Sequence, residues 1–172
     1  MTTSSPKAEQ FSGLILLTGE DKPGLAHSLF AALSPFSVAV VDIDQIIIKK
    51  RLILTVEISL NPAHQGAIED DLSSLAKSLN VDIAAVFSMS TMPTQTPENC
   101  TLVMKSTKVH PKHLSLVTKS LLTAGANIED VKRSATGPVE ITLKVSGISK
   151  TQLNEVINTI ESGTEFSLTI GA

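Results

Sequence analysis

Residues Arg51-Leu52-Ile53-Leu54-Thr55-Val56-Glu57-Ile58-Ser59-Leu60 decide the fold. Leu52, Leu54, Val56, Ile58 and Leu60 share one face, and Arg51, Thr55, Glu57 and Ser59 occupy most of the other. A period of two with one polar face predicts a strand in a sheet covered on one side only. The pattern returns from Val139 to Gly147, where Val139, Ile141, Leu143 and Val145 oppose Glu140, Thr142, Lys144 and Ser146. Leu52 and Val139 lie 87 positions apart, the spacing of a repeated unit rather than of neighbouring strands.

The flanking sequence follows the same offset. Leu14 to Thr18 and Thr101 to Ser106 are apolar strand candidates, each leading to a proline, Pro23 or Pro111, and then to a helical stripe. The stripes are Leu25, Leu29 and Leu33 in the first half, and Leu114, Val117 and Leu121 in the second. Proline suits a first helical turn, where its missing N–H costs nothing. Val38 to Ile48 and Asn127 to Ser134 come next, followed by the two alternating strands. A second helix is spaced by Ile68, Leu72, Leu75 and Leu79, and its counterpart by Leu153, Val156, Ile157 and Ile160. Asn80 and Gly163 are suited to stop these helices. Val81 to Phe87 and the alternating Phe166, Leu168 and Ile170 close the two halves.

The order is βαββαβ twice, an α+β chain of two ferredoxin-like modules. Each is expected to be an antiparallel four-stranded sheet with two helices on one face. The reading assigns 1–10 to a disordered tail, 11–89 to the first module, 90–98 to a linker with two prolines, and 99–172 to the second module. Open sheet edges and a bare sheet face predict association of modules, with a homodimer expected.

Composition narrows the function. The 172 residues carry a net charge of −3, five Phe, and neither Trp nor Tyr. Without a basic groove or aromatic platforms, direct nucleic-acid binding is not expected. No apolar run approaches the ~20 residues of a membrane span. The single cysteine, Cys100, has no partner in the chain, and no leader pattern precedes the first strand, so a cytoplasmic protein is expected. No cofactor motif is found. His110 and His113 stand three apart without a third metal ligand nearby, and read as surface histidines. Val40-Val41-Asp42-Ile43-Asp44-Gln45-Ile46 has the outline of a phosphatase nucleophile motif, but Ile46 stands where Thr or Val belongs and the repeat makes this segment a plain second strand. No catalytic residue is assigned.

The first loop carries the most specific signal. Leu17-Thr18-Gly19-Glu20-Asp21-Lys22-Pro23-Gly24-Leu25 resembles the G-x-D-x-P-G strand–loop–helix signature of ACT domains. Asp42 to Ile48 with Arg51 to Leu54 is similar to the first ACT repeat of actinobacterial-type phosphoserine phosphatases, and Ala126 to Arg133 with Pro138-Val139 and Val145-Ser146-Gly147 to their second. The resemblance spans residues 12 to 172. In those enzymes a haloacid-dehalogenase-type catalytic domain follows the second repeat. It therefore implies a regulatory half that performs no catalysis of its own and senses a small amino acid such as serine or glycine. A detached part of a phosphatase, a ligand-free dimerisation module and a glycine-cleavage-repressor-like regulator are the other readings. A separate catalytic subunit or regulator would receive the signal.

The loop chemistry agrees with such a ligand. A free amino acid needs N–H donors for its carboxylate and acceptors for its ammonium. A helix start supplies unpaired amides and partial positive charge. Pro23 is expected to start that helix, Gly24 to leave the approach clear, Gly19 to turn the strand, and Asp21 to cap the helix or accept from an ammonium. Leu25 completes the motif, and Asp42 or Gln45 is placed to meet a ligand held by a partner module. Serine, with about seven heavy atoms, cannot gain more than roughly 10 kcal/mol, so micromolar to millimolar affinity is expected. The second loop, Lys105 to Pro111, lacks both glycine and an Asp before proline, leaving Ser106 and Thr107 as its only candidates.

Overall fold

The computed structural model describes residues 9–91, 99–134, 139–160 and 165–171. The chain divides into two compact units, one on each side of residues 92–98. The first unit comprises β1 (Glu9–Glu20), α1 (Leu25–Leu33), β2 (Ala39–Ile48), β3 (Arg51–Ser59), α2 (Gln65–Leu79) and β4 (Asp82–Thr91). The second comprises β5 (Cys100–Ser106), α3 (Pro111–Thr123), β6 (Asn127–Arg133), β7 (Val139–Ser146), α4 (Lys150–Ile160) and β8 (Phe166–Ile170). The sheets are antiparallel, in the orders β2-β3-β1-β4 and β6-β7-β5-β8. This is the expected βαββαβ arrangement, made twice.

Each core is built by the alternation read above. Leu52, Leu54, Val56 and Ile58 of β3 are at most 2 % exposed, and they face Leu25, Leu29, Leu33, Ile68 and Leu72 from the two helices. In the second unit Ile141, Leu143 and Val145 meet Val117, Leu121, Leu153 and Ile157. Full burial of one such side chain stabilises by roughly 1.5–3 kcal/mol, which is why a chain without Trp or Tyr can hold two small cores.

Several boundaries move. β1 and β4 pair from Thr18↔Asp82 to Glu9↔Thr91, so Glu9 and Gln10 are strand rather than tail, and Ser90 and Thr91 are strand rather than linker. A ladder of backbone hydrogen bonds continues wherever both partners are present, whatever the side-chain polarity. The rest of the expected tail and linker, and the helix stop at Gly163, lie outside the described residues. Asn80 does end α2, in the left-handed conformation (φ 52°, ψ 54°).

The stripe of α3 shifts as well. Its buried residues are His113, Val117 and Leu121, with Leu114 on the flank. His113 is 8 % exposed, packed 5.1 Å from the ring of Phe166, and is not a surface histidine. Positions 113, 117 and 121 form one i, i+4, i+8 row, and Phe166 of β8 packs on its first member.

β2 is an edge strand, exposed at every position. It joins β3 through Lys49 and Lys50, with φ of 46° and 64°. Two successive positive φ values between the paired Ile48 and Arg51 make a type I′ hairpin turn, normally the place of Asn-Gly.

Candidate functional site

The first loop leaves the sheet at the end of β1. Gly19 does not turn the chain as expected. It sits within the ladder opposite Leu52, and a Cβ there would stand 2.7 Å from Val81 Cγ1. Glycine is required at this position because the β4 entry approaches it closely. After Glu20 the backbone N–H of Asp21 donates to Lys50 O at 2.8 Å, which fastens the loop to the β2–β3 hairpin.

Pro23 does not begin the helix. α1 starts at Leu25 with Gly24 as its N-cap, at φ 94° and ψ −6°. That is the third-residue geometry of a type II turn, with Pro23 before it at the favoured second position. The Gly24 carbonyl accepts the first helical bond, from Ser28 N at 2.9 Å. No side chain caps this helix, so Asp21 does not do so. Among the described residues the amides of Leu25, Ala26 and His27 have no acceptor, as the first turn of any helix leaves them. Asp21 to Gly24 are exposed, and nothing lies within 4 Å of a Cβ built at Gly24. The helix start is therefore open. Leu25 offers only its backbone, because its side chain is in the core.

The structure does not bring Asp42 or Gln45 to this loop within the module. Asp42 pairs with Glu57, opposite Leu14, roughly 20 Å along the strands from Glu20. Its Oδ1 accepts from Ile43 N at 2.8 Å beside a β-bulge. Gln45 pairs with Leu54, in the row of Leu17, about 14 Å from Glu20 by strand spacing. Both are exposed on the edge strand.

The second module is closed at the matching place. Ser106 Oγ donates to Lys108 O at 2.9 Å and accepts from Lys108 N at 3.3 Å, so it serves its own turn. Thr107 is exposed beside it. α3 has Pro111 at its first position, and His110 Nδ1 accepts from Lys112 N at 3.2 Å. An imidazole thus takes the Lys112 amide, a helix-start donor of the kind that Gly24 leaves bare in the first module. At the bulge of β6, the Glu129 carboxylate accepts from Ser146 Oγ and, at 2.7 Å, from Asn127 Nδ2. The Ser146 bond, then the Asn127 bond, hold its pKa below the usual carboxylate value.

One group of residues escaped the sequence reading. Gly19, Glu20, Lys22, Arg51, Lys77 and Asp82 line a cavity of about 540 Å3 at the end of the first sheet, beside Asn80. No spacing in the sequence links Lys77 or Asp82 to Gly19, and only the Thr18↔Asp82 register does. Among the described residues no group of three His, Cys, Asp or Glu side chains could hold a metal, and no helix is long and apolar enough to cross a membrane.

Comparison with known proteins agrees with this architecture. The phosphoserine phosphatase SerB2 of Mycobacterium tuberculosis is 28 % identical over 138 residues, covering 78 % of this chain and 34 % of that protein. The phosphoserine phosphatase of Streptomyces coelicolor is 26 % identical over 151 residues, covering 85 % of this chain and 36 % of that one. The chain thus spans about a third of the length of these relatives. Among solved structures, a candidate glycine cleavage system transcriptional repressor superposes with a TM-score of 0.75 over 95 % of this chain and 97 % of that one, at 15 % identity, which speaks for the fold alone. A family profile described as ACT domain matches residues 13–86. Residues 13–86, the first module, match the ACT domain family, and the chain as a whole has the fold of two ACT-type modules in tandem.

Proposed function

We propose that the chain is a regulatory protein that binds a small amino acid such as serine or glycine, and that it performs no catalysis of its own. The observation that carries this reading is the uncapped start of α1, where the amides of Leu25, Ala26 and His27 have no acceptor among the described residues and Asp21 to Gly24 are exposed. A carboxylate placed there gains several N–H donors and the positive end of the helix. Asp21, free of any capping role, is the acceptor for the ammonium. Similarity to phosphoserine phosphatases supports serine metabolism as the setting, and the reading places the chain in the cytoplasm.

A partner module completes the site. β2 exposes Val40, Val41, Ile43, Ile46, Ile47 and Ile48, each about half accessible, along an unpaired strand edge. Such an edge favours association, and a homodimer through it would carry Gln45 and Asp42 to a neighbour's ligand. Ligand bound across that junction shifts the arrangement only by its preference for one state, which is the signal read by a separate catalytic subunit or regulator.

Calorimetric titration with a panel of amino acids tests the proposal. Heat from one member, lost in a Gly24→Val variant that keeps its far-ultraviolet circular dichroism, is the expected result. Silence from every member leaves a scaffold without a ligand. Similarity to a third of each phosphatase favours one further reading, a part of such an enzyme. A phosphatase assay of this chain mixed with a candidate catalytic subunit, with and without serine, tests it.

A further inference from the structure

We propose that the cleft at the end of the first sheet binds a small acidic amino acid, one carrying two anionic groups and one ammonium. This subsite is separate from the open start of α1. The cleft is framed by Glu20 and Lys22 after β1, Arg51 at the start of β3, Lys77 near the end of α2, and Asp82 at the start of β4.

The pattern of free charge selects the ligand. Lys22 Nζ lies 3.3 Å from Glu20 Oε2, so these two satisfy each other. Glu20 stands directly across the ladder from Arg51 yet pairs with Lys22 instead, which leaves the guanidinium open. Among the described residues Arg51, Lys77 and Asp82 make no ion pair. Two unpaired cations and one unpaired anion around a single cavity are the complement of two anions and one ammonium. A neutral amino acid would leave one cation unanswered. Inorganic phosphate would face Asp82 with like charge.

Geometry agrees with the count. The volume of about 540 Å3 lies within the range of small-molecule sites and exceeds what ten or so heavy atoms fill. Arg51 presents a planar fork suited to a carboxylate or a phosphate, and Lys77 a compact charge for the second anion. Gly19 keeps its stretch of wall as bare backbone, because a Cβ there would collide with Val81. Asn80, held at φ 52° where α2 ends, adds an exposed amide at the rim.

Dicarboxylic amino acids and phospho-amino acids share this chemistry, so both enter the test. The full chain is titrated calorimetrically with glutamate, O-phosphoserine, serine and glutarate, the last being a dianion without an ammonium. Glutamate or O-phosphoserine is expected to bind at least tenfold more tightly than serine and glutarate. The tighter of the two identifies the second anion as carboxylate or phosphate. Lys77→Gln and Arg51→Gln are each expected to weaken that binding about tenfold, Asp82→Asn to erase the advantage over glutarate, and Gly24→Val to leave it unchanged. Glutarate binding as well as glutamate, no binding of either acidic amino acid, or binding that survives Lys77→Gln and Arg51→Gln overturns the proposal. Acidic-ligand binding lost only in Gly24→Val assigns the ligand to the helix start and also overturns it. The sensor reading fails on a different result, namely that no amino acid responds to Gly24→Val.

Discussion

The backbone N–H of Asp21 donates a 2.8 Å hydrogen bond to the carbonyl of Lys50. It ties the loop that leads to the open helix start to a hairpin whose two central residues both have positive φ. Arg51, the next residue, lines the charged cleft. Loop, hairpin and cleft are thus fastened at one backbone contact.

Lys49 and Lys50 occupy the left-handed region at a cost of roughly 1 kcal/mol each relative to residues that adopt it freely. Replacing them with Asn-Gly is expected to raise stability by about 1 kcal/mol or more, measured by thermal or urea unfolding. The bond from Asp21 survives, because its acceptor is a backbone carbonyl. Unchanged or lower stability would show that the lysine side chains hold the turn.

Gly19→Ala places a methyl 2.7 Å from Val81 Cγ1 and is expected to destabilise by about 1–3 kcal/mol. Val81→Ala in the same chain should recover most of that loss, since the clash is with a side chain. A double-mutant cycle in urea reads the coupling. Additive effects would contradict a direct contact.

Gly24 meets nothing within 4 Å, so a substitution there is opposed by backbone conformation and not by crowding. Gly24→Asn, which tolerates positive φ, is expected to be more stable than Gly24→Val, with a difference of about 1 kcal/mol. Equal stabilities in thermal melts would mean the turn relaxes.

Glu129 has its folded pKa lowered by the bonds from Ser146 and Asn127. A depressed carboxylate contributes stability above its unfolded value, about 4.3, and loses it as pH falls through the folded value. The stability advantage of the native chain over Glu129→Gln is therefore expected to be full at neutral pH and to shrink as pH drops below about 4. Urea unfolding across that range measures it, and an advantage independent of pH would contradict the assignment.

His113 Nδ1 is buried with no hydrogen-bond partner among the described residues, and Nε2 lies 3.8 Å from Glu165 Oε2, beyond hydrogen-bond reach. An unsatisfied buried polar atom costs about 1–3 kcal/mol. His113→Leu is expected to stabilise the chain by about 1 kcal/mol. A loss of that size in thermal unfolding would reveal a partner for the imidazole.

Much of this was legible in the chain. Leu52 to Ile58 and Ile141 to Val145 show their buried face through alternation alone, and Leu25, Leu29 and Leu33 show theirs through helical spacing. The loop residues Asp21 to Gly24 were found by motif, though Pro23 precedes the helix instead of starting it. His113 was misread because its burial depends on Phe166, which arrives from a strand more than fifty residues later. The role of Gly19 was misread for the same kind of reason, since Val81 sits across a strand pairing.

The sequence by itself determined the two βαββαβ units, their inward faces and the position of the loop before the first helix, because periodicity and turn residues act through neighbours within a few positions. Only the tertiary structure decided which charges meet. Glu20, Arg51, Lys77 and Asp82 share one cavity because antiparallel register and the end of α2 bring them together. Residues distant in the chain carry no local pattern that marks such a meeting.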